Sequence, residues 1–328
     1  MSTGKPRITL IAAGGTISQT RNPQAGNSAP ALTAADLFAQ TSLVGSIAAR
    51  LVDFLPQPEA SSGSADLLRF ARCLQEEAGQ TSDGIVITHG TDTMEEVAYL
   101  TDETVSAAVP IVFTGAMRPS WALGYDGGRN LENAVRIARS VSPAYGTVVT
   151  MSDRIFEAWS VYKADTGALD AFTTRHGAPS GHVFGDVVAL PWRPVPRRRF
   201  ARLPEVLPQS VPILTLGVGD DAALLARASD LSVQGVVVAS MAAGYVPPGA
   251  HRRMVSLAES GVAIVLCSSA TSGRTAEAYY YPHAYDGLRA AGVAIEDWLS
   301  PRKARVRLML SVGLREPYVP FGQEFIFS

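Results

Sequence analysis

Gly84-Ile85-Val86-Ile87-Thr88-His89-Gly90-Thr91-Asp92-Thr93-Met94-Glu95-Glu96 is the stretch on which the fold turns. Gly84–Thr88 is a short apolar run without polar alternation, the pattern of a parallel strand covered by helices on both faces. It passes into a glycine, two threonines and an aspartate, and then into a helix. Thr93 and Glu96 stand at capping-box spacing, which accounts for those two residues by helix initiation. His89, Thr91 and Asp92 are not required by that reading. The same order of apolar run, small or polar turn and helical pattern recurs along the chain. Strands are expected at Arg7–Ala13, Ile111–Thr114 and Gly146–Met151, then at Val211–Leu216, Gly235–Ala239 and Val262–Cys267. Leu67, Phe70, Ala71 and Leu74 recur at helical spacing, as do Leu131, Ala134, Val135 and Ala138. Ser300 and Pro301 open a last helix in which Lys303, Arg305 and Arg307 interleave with Val306, Leu308 and Leu310.

These elements predict an α/β protein of two α/β domains. The expected division is a larger N-terminal parallel-sheet domain over 1–192, a linker over 193–210 and a smaller C-terminal α/β domain over 211–328. The linker region carries Pro194, Pro196, Pro204 and Pro208, too dense a set for a helix or a central strand. Arg193, Arg197, Arg198, Arg199 and Arg202 in the same stretch read better as a solvated linker than as a nucleic-acid patch.

Composition narrows the function classes. The 328 residues are 47% hydrophobic and 18% charged, an ordinary globular balance. Lys and Arg number 28 against 30 Asp and Glu, leaving a net charge of −2, without the basic footprint of a nucleic-acid binder. Two cysteines, Cys73 and Cys267, are too few for a disulfide framework or a structural zinc cluster, and they fit a reducing compartment. Apolar runs such as Val262–Cys267 fall well short of the roughly 20 residues a membrane helix needs. No signal-peptide core stands between Met1 and the first strand, so a cytoplasmic location without membrane attachment is expected.

In open α/β sheets the chemistry lies just beyond the carboxyl ends of the strands. Three such segments carry informative residues. Gly14-Gly15-Thr16-Ile17-Ser18 offers a sharp turn and a hydroxyl, either a nucleophile or a plain turn threonine. Thr91 and Asp92 place a hydroxyl beside a carboxylate at a helix N-terminus, suited to a substrate or anion. Thr114-Gly115-Ala116-Met117-Arg118-Pro119 is followed by Asp126-Gly127-Gly128-Arg129-Asn130, and Arg118 reads equally as a carboxylate binder or a structural ion pair. Lys163 alone would be read as solvated surface. The chain has no Gly-x-Ser-x-Gly elbow, phosphate loop or His-Glu-x-x-His pair. Gly217-Val218-Gly219 loosely matches a dinucleotide fingerprint, but the next strand ends in Ala239-Ser240 rather than an acid.

With the Gly14–Ile17 and His89–Glu96 turns both placed after strands, the chain resembles the bacterial L-asparaginase and glutaminase-asparaginase family. Thr114–Pro119 and Pro301-Arg302-Lys303-Ala304-Arg305 add to the resemblance, which runs nearly end to end. It implies hydrolysis of the side-chain amide of L-asparagine to L-aspartate and ammonia. Thr16 corresponds to the nucleophile that forms an acyl-enzyme, and Thr91, Asp92 and Lys163 to a second catalytic cluster. Lys163 matches because it precedes Ala171-Phe172 by the family's eight to nine residues. A threonine hydroxyl is a weak nucleophile that needs a base or a polarised hydrogen-bond network, and a lysine held beside it can take its proton. Gly15 and Gly90 fall in the substrate site, and backbone N–H groups at Thr91 and Ala116 would stabilise an oxyanion. No metal or organic cofactor is implied. A homotetramer of two close dimers is, with each site completed by a neighbouring subunit.

Four departures from the family pattern thin out substrate recognition. Gln19–Leu32 contains no tyrosine where a lid tyrosine is usual. The substrate-binding pair falls near Pro56–Ser64, where Gln57 and Ser61 are the choices, with Glu59 and Ser62 beside them. Tyr245 replaces an asparagine after Gly244, and Arg274–Asp286 holds no clear counterpart of a glutamate, only Glu277, Tyr281 and Tyr285 nearby. A glutaminase, an amidase for another amino-acid-like amide, or a catalytically weak ligand-binding member are therefore the alternatives.

Overall fold

The computed structural model describes residues 5–21, 28–30, 32–54, 63–194, 199–228, 232–275 and 285–322. The chain divides into two compact units, Met1–Val195 and Pro196–Ser328. The first contains β1 (Arg7–Ala13), β2 (Gln19–Arg21), β3 (Ser28–Pro30), α1 (Ala34–Ala39), β4 (Ala48–Asp53), α2 (Ser64–Ala78), β5 (Gly84–His89) and α3 (Met94–Thr104). It continues with β6 (Ile111–Thr114), α4 (Gly127–Ser140), β7 (Thr147–Met151), β8 (Arg154–Glu157), β9 (Val161–Lys163), β10 (Phe172–Thr174), β11 (Gly181–Phe184) and β12 (Val187–Ala189).

Eight of these strands form one sheet in the order β12-β11-β8-β7-β6-β5-β1-β4. From β4 to β7 the pairing is parallel, and β8, β11 and β12 extend the edge antiparallel. The apolar runs expected as strands are those that both faces bury. All six residues of β5 are buried. Successive residues of a strand serve opposite faces. Ile8, Leu10, Ala12, Val86 and Val112 pack with Leu37 of α1 and Leu131, Ala134 and Val135 of α4. Ile11, Ala13, Ile85, Ile87 and Phe113 pack with Phe70 and Leu74 of α2 and Met94, Val97 and Ala98 of α3. The remaining strands carry no such run, β8 among them, although its Ile155 and Phe156 are buried in the same core. In β4 no residue is buried, because only an edge is available to it.

Chain order leaves β1 for β4 on one side and returns to β5 on the other, so the direction of winding reverses between β1 and β5. In doubly wound sheets that reversal opens a crevice at the carboxyl ends of the two strands.

The second unit has the parallel order β13 (Ile213–Thr215), β14 (Gly235–Ser240), β15 (Ala263–Ser268) and β16 (Ala294–Glu296). Its helices are α5 (Pro248–Glu259), α6 (Tyr285–Ala290) and α7 (Pro301–Leu314). Pro212 has no N–H for a ladder, and β13 is shorter than the apolar run around it. Ser300 caps α7 by accepting the Lys303 N–H at 3.4 Å, as its position ahead of Pro301 predicts. Among the described residues no helix is long and apolar enough to cross a membrane.

Two features of β5 are open to measurement. A Cβ added at Gly84 would lie 2.5 Å from the Ala138 carbonyl oxygen, where α4 crosses the start of the strand. Gly84→Ala should cost about 2 kcal/mol by overpacking, whereas Gly128→Ala, with nothing within 4 Å, should be neutral or stabilising in urea denaturation. At the other end, His89 is fully buried between the rings of Phe70 and Phe113. Its Nδ1–H donates to the Gly90 carbonyl at 2.8 Å, and burial pushes its pKa down to about 4. The unfolded chain takes up this proton near the ordinary value of 6.5 and the folded chain does not. Stability from this group is therefore complete above pH 6.5 and falls as pH drops towards 4, by about 3 kcal/mol. Denaturation between pH 4 and 7 should show that slope in the wild type and its absence in His89→Gln.

Candidate active site

The site begins where β1 and β5 end side by side, with Ala13 paired to His89. The chain leaves β1 through Gly14 and Gly15 at φ of 83° and 86°, a region that disfavours side chains. A Cβ at Gly15 would come within 2.5 Å of both Cα and N of Gly90. The two turns thus meet backbone to backbone, and only glycine permits it. A short 3-10 turn over Thr16–Ser18 follows, closed by Ser18, whose N–H and hydroxyl both donate to the Gly15 carbonyl at 3.0 Å. The turn after β6 reaches the same place, since a Cβ at Gly115 would lie 2.6 Å from the His89 carbonyl oxygen and 3.4 Å from Cγ2 of Thr91.

These turns surround a cavity of about 360 Å³. Gly15, Thr16, Gly90, Thr91, Asp92 and Lys163 all line it. Lys163 comes from β9, a hairpin strand outside the main sheet that pairs with β10. Its Nζ donates to Thr91 Oγ1 at 3.0 Å and to Asp92 Oδ1 at 2.6 Å. The lysine side chain is 13% exposed and the aspartate 78%, so the hydroxyl and amine are withdrawn from water while the carboxylate faces the opening. A hydroxyl, an amine and a carboxylate in direct contact make a path for one proton. The N-terminus of α3 lies immediately behind them, its dipole favouring negative charge in the cavity.

The surrounding loops are held by local bonds. Asp126 accepts from the N–H groups of Met117 and Arg118 at 3.0 Å, and Asn130 Nδ2 donates to the Gly115 carbonyl at 3.0 Å. Ser120 Oγ donates to the Gln19 carbonyl at 3.1 Å. Asp165 accepts from the N–H groups of Gly167 and Ala168 at 2.7 and 2.8 Å, which fixes the turn carrying Thr166. Those bonds, with the Lys163 charge, hold the Asp165 carboxyl below the usual carboxylate range.

Other expected residues fall elsewhere. Ala116 is fully buried and does not line the cavity, whereas Met117 does. Arg118 directs Nη1 to the Leu123 carbonyl at 3.3 Å and is absent from the lining. Gln57 and Ser61, with Glu59 and Ser62, lie outside the described residues, as do Glu277 and Tyr281. The capping box expected of Thr93 and Glu96 does not form. Thr93 sits in a helical conformation at the N-cap and its side chain makes no cap bond, since the chain there follows the site turn rather than the extended entry a cap needs. Gln19, Thr93, Met117 and Thr166 line the cavity without having been singled out as site residues. Their one sequence signal is adjacency: each stands within three residues of a residue that was. Among the described residues no group of three or more His, Cys, Asp or Glu side chains is placed to hold a metal ion.

Comparison with known proteins bears on both units. Residues 7–196 match the family described as "Asparaginase, N-terminal", and residues 210–317 match "Glutaminase/Asparaginase C-terminal domain". L-asparaginase 2 of Escherichia coli (strain K12) is 30% identical over 94% of this chain and 89% of its own. A probable L-asparaginase of Deinococcus radiodurans is 31% identical over 96% of this chain and 95% of its own. The crystal structure of a probable cytoplasmic L-asparaginase from Campylobacter jejuni superposes with a TM-score of 0.82 at 27% identity, covering 94% of this chain and 95% of that one. Matches of this extent, over a site that holds a hydroxyl, amine and carboxylate in contact, mean that the chain belongs to the asparaginase family and is an asparaginase-type amidohydrolase.

Proposed function

We propose that the protein hydrolyses the side-chain amide of L-asparagine to L-aspartate and ammonia, with Thr16 as nucleophile and Thr91, Asp92 and Lys163 as the proton-handling group. The observation that carries this reading is that one cavity is lined both by Thr16 and by the Thr91–Lys163–Asp92 chain, beside the Gly15–Gly90 contact. Thr16 Oγ attacks the amide carbon and its proton passes to the departing nitrogen, which leaves as ammonia. A threonyl ester remains. Water then adds to the ester as its proton moves along the Thr91–Lys163 contact, and a proton is returned to Thr16 Oγ as the C–O bond to Thr16 breaks, which restores the hydroxyl and releases L-aspartate. Asp92 holds the lysine and offers its exposed carboxylate to a substrate ammonium. Backbone N–H groups of the two turns supply oxyanion donors, each worth roughly 3 kcal/mol in comparable sites.

The reading extends to a cytoplasmic homotetramer, a dimer of dimers. Its location is supported by Cys73 and Cys267, neither of them in a disulfide, and by the cytoplasmic designation of the Campylobacter jejuni protein. A different amide is the second reading. It is favoured by Tyr245 after Gly244 and by the absence of tyrosine from Gln19–Leu32, which leave fewer polar partners for an amino acid's head group.

Ammonia release from L-asparagine, L-glutamine and a panel of other amides should separate the two. Thr16→Ala, Thr91→Ala and Lys163→Ala should each lower kcat by about 10²- to 10⁴-fold. A Thr16→Ala enzyme with wild-type turnover would remove the nucleophile assignment. Turnover on another amide but not on asparagine or glutamine would move the substrate and keep the mechanism. Ammonia from no amide would favour a ligand-binding role.

A further inference from the structure

We infer that Glu95 is the positioning residue that sets the reach of Lys163, an inference that rests on the reading of Lys163 as the proton acceptor. Lys163 ends a three-residue strand whose sole ladder partner among the described residues is β10, so half of its backbone bonding must come from elsewhere. The phase of the ladder says which half. Antiparallel residues alternate between pairs that exchange bonds and pairs that do not. Arg175 N donates to Ser160 O at 2.9 Å and Ala164 N to Ala171 O at 2.7 Å. Lys163, opposite Phe172, is the intervening kind, and its N–H points away from β10.

On that open side Glu95 Oε2 accepts the Lys163 N–H at 2.8 Å. The carboxylate does for this residue what a third strand would do. Glu95 is 3% exposed, in a helix of which every residue but Glu96 is buried. A carboxylate so far from water persists only where it is hydrogen-bonded. Glu95 occupies the first turn of α3, and Thr91 and Asp92 directly precede that helix. One helix end therefore grips the lysine three times, at its main chain through Glu95 and at its amine through Thr91 and Asp92. A lysine stem has four rotatable bonds, and two amine contacts locate its tip only if its Cα is already fixed.

The test uses substitutions that separate reach from charge. Glu95→Asp keeps the charge and loses one methylene of reach, whereas Glu95→Gln keeps reach and an acceptor oxygen and loses the charge. On the amide the wild type turns over, Glu95→Asp and Glu95→Ala should lose about a hundredfold in kcat with little change in KM. Glu95→Gln should keep about a tenth or more of wild-type kcat. Lys163 is one of three lysines in the chain, so competitive acetylation read by mass spectrometry reports on its amine without any substrate. It should label about tenfold faster in Glu95→Asp than in Glu95→Gln. Should Glu95→Ala fail to fold, the Asp and Gln pair decides. Gln behaving like Asp in both readouts, or Asp behaving like wild type, overturns the positioning role. Lys163→Ala with wild-type turnover overturns the reading of the lysine itself, and an inactive Lys163→Ala beside an active Glu95→Asp overturns the role of Glu95 alone.

Discussion

Gly15 and Gly90 touch through their main chains, and the rest of the site follows from that contact. A Cβ on the first would sit 2.5 Å from the second, closer than real side chains approach backbone. Parallel pairing of β1 and β5 brings the two strand ends level, with Ala13 opposite His89. Winding of the chain in opposite directions from β1 leaves no helix crossing over the gap between them. Two turns that carry hydroxyl groups are then held at the separation of two bare backbones. Any larger residue would widen the cavity that Thr16 and Thr91 share.

Burial around this contact sets the electrostatics. His89 is neutral because it is enclosed by Phe70 and Phe113, and its Nδ1–H turns to the Gly90 carbonyl beside the cavity. Its role is to support the turn, and its position in the motif reflects packing more than chemistry. The groups that can exchange protons lie on the cavity side, and there the carboxylate of Asp92 is exposed while the lysine amine is withdrawn. A pair so arranged is attractive without being fully desolvated, which keeps the charge of the aspartate available to a ligand. Glu95 belongs to the opposite regime. Its carboxylate is out of water, and it spends its hydrogen-bonding capacity on the protein.

Legibility varied with burial. β1, β5 and β6 stand out as apolar runs because both of their faces are covered. β4 and β12 bury no residue, so their composition carries no periodic signal, and β8, though buried, is four residues long with an arginine and a glutamate at its ends. The Thr93–Glu96 spacing is a case where a correct local pattern had the wrong physical cause. The helix does begin there, but no capping box forms, and the neighbouring Glu95 carries the contact that matters. Thr16, Thr91 and Asp92 were open to notice because each follows a strand, the position from which an α/β sheet presents its chemistry. Lys163 had no such mark, and resemblance to the family was what raised it above the level of a surface lysine.

Local sequence determined most of the buried parallel strands, the glycine turns and the longer helices, because burial on two faces, glycine turns and helical spacing are properties of neighbouring residues. It also placed two threonines and an aspartate at strand ends. Tertiary structure alone decided which of those ends would meet. Thr91 and Lys163 are 72 residues apart, and their 3.0 Å contact depends on strand order, on the phase of a two-strand ladder and on a carboxylate that holds the free edge of that ladder. None of these is written in local periodicity, since each is a relation between segments that acquire a common frame only when the core closes.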